Sequence, residues 1–391
     1  MPELNLAVAR LHGTNEPSKE LARGTLKYIC TGSTNGSLRC QALRELILDA
    51  AHYRQTNQAL VLAKQLTLES NSVFADKLVR LDLLREVKSA EYRPTLAALE
   101  HYSANLIGPA YEMGMYLMAK TTPAETLAWL QSLPPSTQTN QPVTTLEAEC
   151  LDMTSSWRGL QSFVAQQNWL ELEFMRHAFV VRALRGQNQI TAATLEWQSA
   201  LKAANGDKAG LMMLLRVTAQ WKWQDEVEEV LWSIVNLYPH EQSAVQALSE
   251  ALVIGGRTRS LMTLCAQQLK VNPTDSNLKN NLAMTALLLD AKELRPHDLA
   301  RELYQQAPTN ASFAGTYAYS LHVQGKDADA LKVMQLLKPK ELEEPSLAGY
   351  YGIILKATGN KASAKHYLDL SATAKCLPEE LKLFQQARQG L

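Results

Sequence analysis

An all-α fold, an α-solenoid of stacked helical hairpins, is what this sequence predicts, and three sets of regularly spaced residues predict it. Prolines that end one apolar run and precede the next recur at Pro239, Pro273 and Pro308, 34 and 35 residues apart. Glycines stand midway between them: Gly325 and Gly359 are 34 apart, and Gly256 holds the corresponding place. Small residues recur in phase, Ala318 with Gly352 and Ala330 with Ala364, again 34 apart. A period of that length marks stacked supersecondary units, each burying its apolar face on its neighbours.

The same architecture suits the length and composition. A chain of 391 residues outgrows one small core, but repeats extend without enlarging any single core. Hydrophobic residues at 46% and charged residues at 20% are globular values. Only 18 glycines and 15 prolines leave room for long helices with short connections.

From the N-terminus, residues 1–133 read as degenerate helical hairpins. Amphipathic runs such as SLRCQALRELILDAAHYR and TNQALVLAKQLTLESN alternate with turn-forming stretches, among them the loop TGSTNG at 31–36. GPAYEMGMYLMAKTTPAETLAWLQSL, 108–133, repeats the order helix, turn, helix. PPSTQTNQP, 134–142, is the longest loop-forming stretch and is either a joint between two arrays or a long inter-repeat loop.

A repeat array is expected over 143–378. Each proline there lacks an N–H and clashes with the turn before it, so it ends a helix. The Asp, Asn, Ser or Thr that follows supplies a cap for the next. The mid-hairpin glycine accepts the left-handed conformation that terminates the first helix. LPEELKLFQQARQGL then forms a C-terminal capping helix, 379–391, with Leu381 and Phe384 in its buried stripe and Glu379, Glu380, Lys382 and Arg388 outside. A capped array predicts a monomer or a weak homodimer.

Residues 311–344 and 345–378 resemble tetratricopeptide repeats. Tyr317-Ala318 and Tyr351-Gly352 match the bulky–small pair of the first helix, Gly325 and Gly359 the turn, and Ala330 and Ala364 the small position of the second helix. Residues 174–310 fit the frame with departures. Leu215, Ser249 and Ala283 fill the first small site, Gly186 lies close to the turn position, and extra residues around Lys292–His297 lengthen the 276–310 unit. The resemblance implies a right-handed superhelix whose first helices line a concave surface, and protein binding rather than catalysis. The Lys/Asn carboxylate clamp of chaperone-binding members is not matched: Asn280 and Asn281 are present, but the accompanying basic positions are not.

No catalytic or cofactor site is expected. Lys plus Arg equals Asp plus Glu, 39 against 39, which argues against a general nucleic-acid binder. The five cysteines, Cys30, Cys40, Cys150, Cys265 and Cys376, are widely spaced without a C-x-x-C. They read as small buried hydrophobes rather than a disulfide framework or a zinc site. The phosphate-binding, dinucleotide, zincin and nucleophile-elbow motifs are missing. His12, His52, His101, His177, His240, His297, His322 and His366 show no metal-ligand spacing. The N-terminus lacks a signal-peptide pattern and no run reaches the roughly 18 apolar residues of a membrane span, so a soluble, cytoplasmic protein is expected.

Candidate binding residues follow from the family frame. Taken in register with Pro239 and Pro273, one concave column holds Arg182, Arg216, Glu250, Met284, Tyr319 and Ile353. One turn further lie Arg185, Leu287, His322 and Lys356, with Asn280 one turn before. This groove is basic near Arg182, Arg185 and Arg216 and apolar toward Met284, Leu287 and Tyr319, and Gly315, Gly349, Ser312 and Ser346 leave space beside Tyr319. It suits an acidic-hydrophobic segment; alternatively, Arg182 or Arg216 pairs with Glu250 and the groove is merely solvated. Trp221 and Trp223 are separate candidates for a surface anchor, since adjacent bulky residues do not all face one core. The expected function is therefore a non-catalytic scaffold or adaptor. A regulatory or substrate-presenting arm of an enzyme assembly is the alternative, and a single-stranded RNA-binding repeat is a weaker one.

Overall fold

A computed structural model describes residues 2–389 and 391. All regular elements among them are helical, and they divide into two compact units, Met1–Ala200 and Leu201–Leu391.

The first unit opens with α1 (Pro2–Leu11), α2 (Glu16–Gly32), α3 (Gly36–His52) and α4 (Thr56–Leu68). Next come α5 (Phe74–Glu86), α6 (Tyr92–Ser103), α7 (Ile107–Lys120) and α8 (Pro123–Gln131). A one-turn helix, α9 (Pro135–Gln138), leads into α10 (Val143–Met153), α11 (Trp157–Ala165), α12 (Glu173–Gly186) and α13 (Ile190–Ala204). The proline-rich stretch 134–142 thus lies inside this unit, and it is packed: Thr137 is 1% exposed, and the Thr144 hydroxyl donates to the Gln138 carbonyl at 3.0 Å. Leucines such as Leu26, Leu43 and Leu66 fill the core between successive hairpins. Arginine forks tie each hairpin to the next, Arg23 to Asp49 at 2.7 and 3.0 Å and Arg44 to Asp76 at 2.7 and 2.8 Å. Such paired geometry fixes orientation as well as charge.

The second unit is more regular. Its helices are α14 (Lys208–Gln220), α15 (Gln224–Leu237), α16 (Gln242–Ile254), α17 (Thr258–Val271), α18 (Ser276–Leu288) and α19 (Pro296–Gln306). They continue with α20 (Ala311–Val323), α21 (Asp327–Gln335), α22 (Pro339–Leu342), α23 (Pro345–Ala357), α24 (Lys361–Leu370) and α25 (Pro378–Arg388). The first helices of the five hairpins, α14, α16, α18, α20 and α23, start 34, 34, 35 and 34 residues apart. After Pro273 and Pro308 the expected caps are used, Asp275 and Asn310, and Asp207 caps α14 in the same way, each side chain accepting from backbone N–H groups two and three residues on. After Pro239, Glu241 makes no such bond. Neighbouring first helices pack on one another, α18 on α20 and α20 on α23, which gives one continuous face.

The turn inside each hairpin shows the period most sharply. Lys222, Gly256, Asp290, Gly325 and Gly359 all take positive φ, between 52° and 88°. The first unit repeats this at Arg54, Lys88, Ser155 and Asn188. Gly186 is therefore not the turn residue of its hairpin. It ends α12, where a Cβ would stand 2.2 Å from the Trp157 ring, so its role is close packing. The unit that begins at α18 also differs from expectation, because the next first helix starts only 35 residues on. The residues around Lys292–His297 form a short 3₁₀ turn, Lys292–Leu294, and the second helix is correspondingly delayed and short.

Candidate functional site

The continuous face of the second unit is built from the first helices, and α25 lies on it. The connection after α24 turns back so that α25 crosses α18, α20 and α23 instead of only closing the last hairpin. Its N-terminal end reaches the turn between α16 and α17. There the Thr258 hydroxyl donates to the Glu379 carboxylate, and Pro378 fills the space where a side chain on Gly256 would be. Its C-terminal end is held by Lys356, whose Nζ donates to the carbonyls of Ala387 and Gln389, each at 2.7 Å. A cation placed on the last carbonyls of a helix satisfies acceptors that have no partner within the helix. Arg388 completes the attachment by donating from Nε to the Leu368 carbonyl at 3.2 Å.

Between these ends the contact is aromatic. Phe384 is 1% exposed and packs with Leu287, Tyr319, Tyr350, Ile353 and Leu368. Its ring occupies the place of an absent side chain, since a Cβ on Gly349 would lie 2.4–2.6 Å from three of its atoms. Tyr350 meets Phe384 edge-on at 5.2 Å between centroids and packs against Tyr319 at 4.9 Å. The Tyr350 hydroxyl donates to Glu380 at 2.5 Å. Burial first, and the neighbouring carboxylate second, hold that hydroxyl well above its usual pKa, so it remains a donor. Burial likewise pushes Tyr319 up to about 12.

The apolar members of the two predicted columns thus meet on this helix. Leu287, Tyr319 and Ile353 are buried in the cluster around Phe384, and Met284 packs against it. Lys356 caps α25, and the His322 Nδ1 lies 2.5 Å from Asp327, beside Tyr319. Glu250 is exposed on α16 and accepts from Gln246 at 3.0 Å. Arg216 is exposed on α14. In the first unit, Arg182 donates to Asp152 at 2.6 Å and stacks over Trp157, while Arg185 is half-buried on α12. Trp223 is buried and Trp221 half-buried, with centroids 4.7 Å apart. The positive φ of the intervening Lys222 accompanies this folding of one ring onto the other.

The C-terminal helix differs from its predicted stripe. Phe384 is buried, but Leu381 is 47% exposed, whereas Glu380 and Arg388, expected outside, bond into the array. Gly349 does leave space, and Phe384 takes it. Ser312, Ser346 and Gly315 instead border a cavity of about 300 Å³ next to α25, which Asn280, Asn281 and Met284 also line.

Burial pushes the thiols of Cys150 and Cys265 up to about 12 and that of Cys30 to about 11, away from the thiolate a nucleophile needs. Among the described residues no group of three or more His, Cys, Asp or Glu is arranged to hold a metal, and no helix is long and apolar enough to cross a membrane.

No family model matches the sequence, and no curated protein matches it. Solved structures are similar to it in part. A tetratricopeptide repeat protein from Parabacteroides merdae is 14% identical, with a TM-score of 0.33, over 71% of this chain and 98% of that one. Naa15/Naa10 bound to HypK-THB is 11% identical, with a TM-score of 0.32, over 99% and 70% respectively. The APC/C hetero-tetramer Cut9–Hcn1 is 12% identical, with a TM-score of 0.32, over 98% and 75%. The tetratricopeptide-like character of this chain rests on its own geometry: helical hairpins whose first helices and left-handed turns recur at 34 or 35 residues.

Proposed function

We propose that this chain is a non-catalytic interaction module that holds a segment of another protein against the first helices of its second unit. The observation that carries the reading is α25. An eleven-residue helix is marginal in water by itself, yet here it is seated by an aromatic side chain in a glycine socket and by polar contacts at both ends. A face that accepts one amphipathic helix in this way is of the helix-in-groove kind.

The chemistry of α25 also describes the partner. Glu379 and Glu380 open the helix and Phe384 follows one turn later, an acidic start with an apolar anchor. Hydroxyls of Thr258 and Tyr350 receive the carboxylates, and Gly349 receives the ring. A partner of this acidic-hydrophobic pattern competes with α25 for the same seat. Arg216 and Glu250 extend the inner column over α14 and α16. In this reading they are the auxiliary contacts.

The test uses the full chain. A peptide of residues 376–391 is titrated into the wild type and into Phe384→Ala. The variant, with its own helix unseated, is expected to bind the peptide, and the wild type at least tenfold more weakly. Proteins captured from lysate by the variant and released by that peptide are then the partners of this face. A well-folded Phe384→Ala protein that ignores the peptide refutes the reading.

A further inference from the structure

α2 carries a glycine that its own chain does not call for. Inside other helices, Gly114, Gly186, Gly315, Gly349 and Gly352 each make room for a neighbour. A Cβ there would stand 2.2–2.6 Å from Leu146, Trp157, Leu347, Phe384 and Leu368 respectively. Gly24 lies near the middle of the seventeen-residue α2 with nothing within 4 Å of that position and no left-handed φ to satisfy. Glycine in a helix interior is destabilising relative to alanine. What it provides here is bare backbone on the surface, open to a close approach from outside.

The surface around Gly24 has two sides. α2 packs on α1 and α3 through Ala22, Leu26, Ile29 and Cys30. On its outer face Leu21 is 59% exposed and Tyr28 71%. With Pro17 and Gly24 they border a shallow groove that has Glu3 of α1 at its edge. At about 100° per residue, Leu21 and Tyr28 stand to one side of Gly24, and Glu20 and Lys27 to the other. Glu20 accepts from Arg23 through Oε2 at 3.1 Å and stays exposed. Lys27 is exposed and enters no ion pair among the described residues. Arg23 itself is held on Asp49 at 2.7 and 3.0 Å, away from this face.

The two pairs share one spacing and one centre. Glu20 and Lys27 are separated by the same two helical turns as Leu21 and Tyr28, and Gly24 lies midway in both. A helix with this layout matches itself when turned end over end. A two-fold axis beside Gly24, at right angles to α2 and parallel to the surface, sets apolar side on apolar side and charged side on charged side. Leu21 then meets the partner's Tyr28, Glu20 meets the partner's Lys27, and each contact occurs twice, as an isologous interface requires. A parallel pair would instead lay the apolar side of one helix on the charged side of the other. Glycine at the crossing point allows the two axes to approach to the short end of helix-packing distances.

We propose that α2 is the contact of a homodimer, an antiparallel pair of α2 helices that cross at Gly24. The interface lies wholly within the first unit and uses no residue of α25, so it stands or falls apart from the interaction reading.

The experiment follows the full chain by analytical ultracentrifugation. One helix from each copy makes an interface at the small end of the specific class, so concentrations run to about 0.5 mM at low salt. The wild type is expected to dimerise within that range. Glu20→Lys alone and Lys27→Glu alone each bring like charges together twice, and each should weaken the dimer at least about tenfold. An equimolar mixture of these two variants restores both opposite-charge contacts, as does the double variant, and both should recover the wild-type dimer. Tyr28→Ala should weaken it without lowering the melting temperature. Gly24→Cys should form a disulfide-linked dimer on oxidation with copper–phenanthroline, because the two introduced thiols meet at the crossing. The wild type, whose own cysteines are buried or half-buried, should not. A monomer at every concentration, a dimer indifferent to both charge reversals, or a mixture that stays monomeric overturns the proposal. A dimer that disappears in Phe384→Ala assigns self-association to α25 and overturns it as well.

Discussion

Replacing Phe384 by alanine tests whether α25 is a separable occupant or an integral part of the fold. The side chain is 1% exposed and fills a socket over Gly349, which offers only backbone, within the cluster of Leu287, Tyr319, Tyr350, Ile353 and Leu368. Truncating a buried phenylalanine costs about 3–5 kcal/mol. The loss falls first on docking, because the other apolar contacts of the helix come from the small Ala387 and the half-buried Leu383. An undocked helix of eleven residues frays in water. Amide exchange over 381–388 should therefore accelerate by roughly two to four orders of magnitude, the equivalent of that free energy. Exchange in the middles of α16 and α18 should change little. Gly349→Ala approaches the same contact from the receptor side, where its Cβ would meet the ring at 2.4 Å. The two changes share one contact, so the double variant should be much less than additive. If α18, α20 and α23 lose protection as much as α25 does, the helix is a cooperative part of the array and the reasoning fails. If α25 keeps its protection, Phe384 is not the anchor.

Four further outcomes follow from the structure. Lys356→Met removes two charge-assisted bonds to the last carbonyls of α25 and should accelerate exchange in its final turn about tenfold by mass-spectrometric hydrogen exchange. Gly325→Ala puts a Cβ at φ 73° with nothing within 4 Å, so thermal denaturation should show a loss of about 1–2 kcal/mol of pure backbone origin. Lys88→Gly at φ 54° should do the reverse, with a gain below about 1 kcal/mol, because glycine also gives the unfolded chain more freedom; a loss at Lys88 would mean that its side chain matters. Glu147 is 2% exposed and its carboxyl pKa is raised by burial, against an opposing hydrogen bond from Gln138. A raised folded-state pKa favours the fold below the ordinary carboxylate range and costs stability as pH rises through it. Glu147→Gln should thus raise the melting temperature at neutral pH and lose that advantage in acid; a gain that persists in acid would assign the effect to packing.

The second unit was legible in the sequence because three of its hairpins place glycine at the left-handed turn, at 256, 325 and 359. The first unit obeys the same rule with residues that announce nothing. Arg54, Lys88 and Ser155 take the left-handed conformation at a cost that the packed helices on either side impose. The hairpin of α7 and α8 dispenses with positive φ and turns on Thr122, whose side chain and that of Glu125 cap each other's backbone. Without glycine the period is a property of geometry alone, so a reading based on residue identity stops near 174. Gly186 misled for the complementary reason: a glycine two residues from the turn was needed for the Trp157 ring.

The site divides along similar lines. A 34-residue frame places Met284, Tyr319 and Ile353 in one column and Leu287 and Lys356 in a second one turn further along, because that requires only the period and the helix repeat. What covers the columns depends on a contact between Thr258 and Glu379, 121 residues apart, and no local pattern encodes it. PEELKLFQQAR has the amphipathicity expected of a terminal cap. The same apolar residue that would cover an exposed last hairpin also fits a glycine socket. The difference lies in direction, which the connection between α24 and α25 sets. Its outcome is visible in Leu381, left 47% exposed while Phe384 is buried. A plain cap would bury both, since its stripe must cover the end of a core. α25 is seated instead through Phe384, with Ala387 buried and Leu383 half-buried beside it, and through polar groups at its two ends. On the proposed reading a partner with an equivalent anchor exchanges with α25, because it meets the same donors and the same socket.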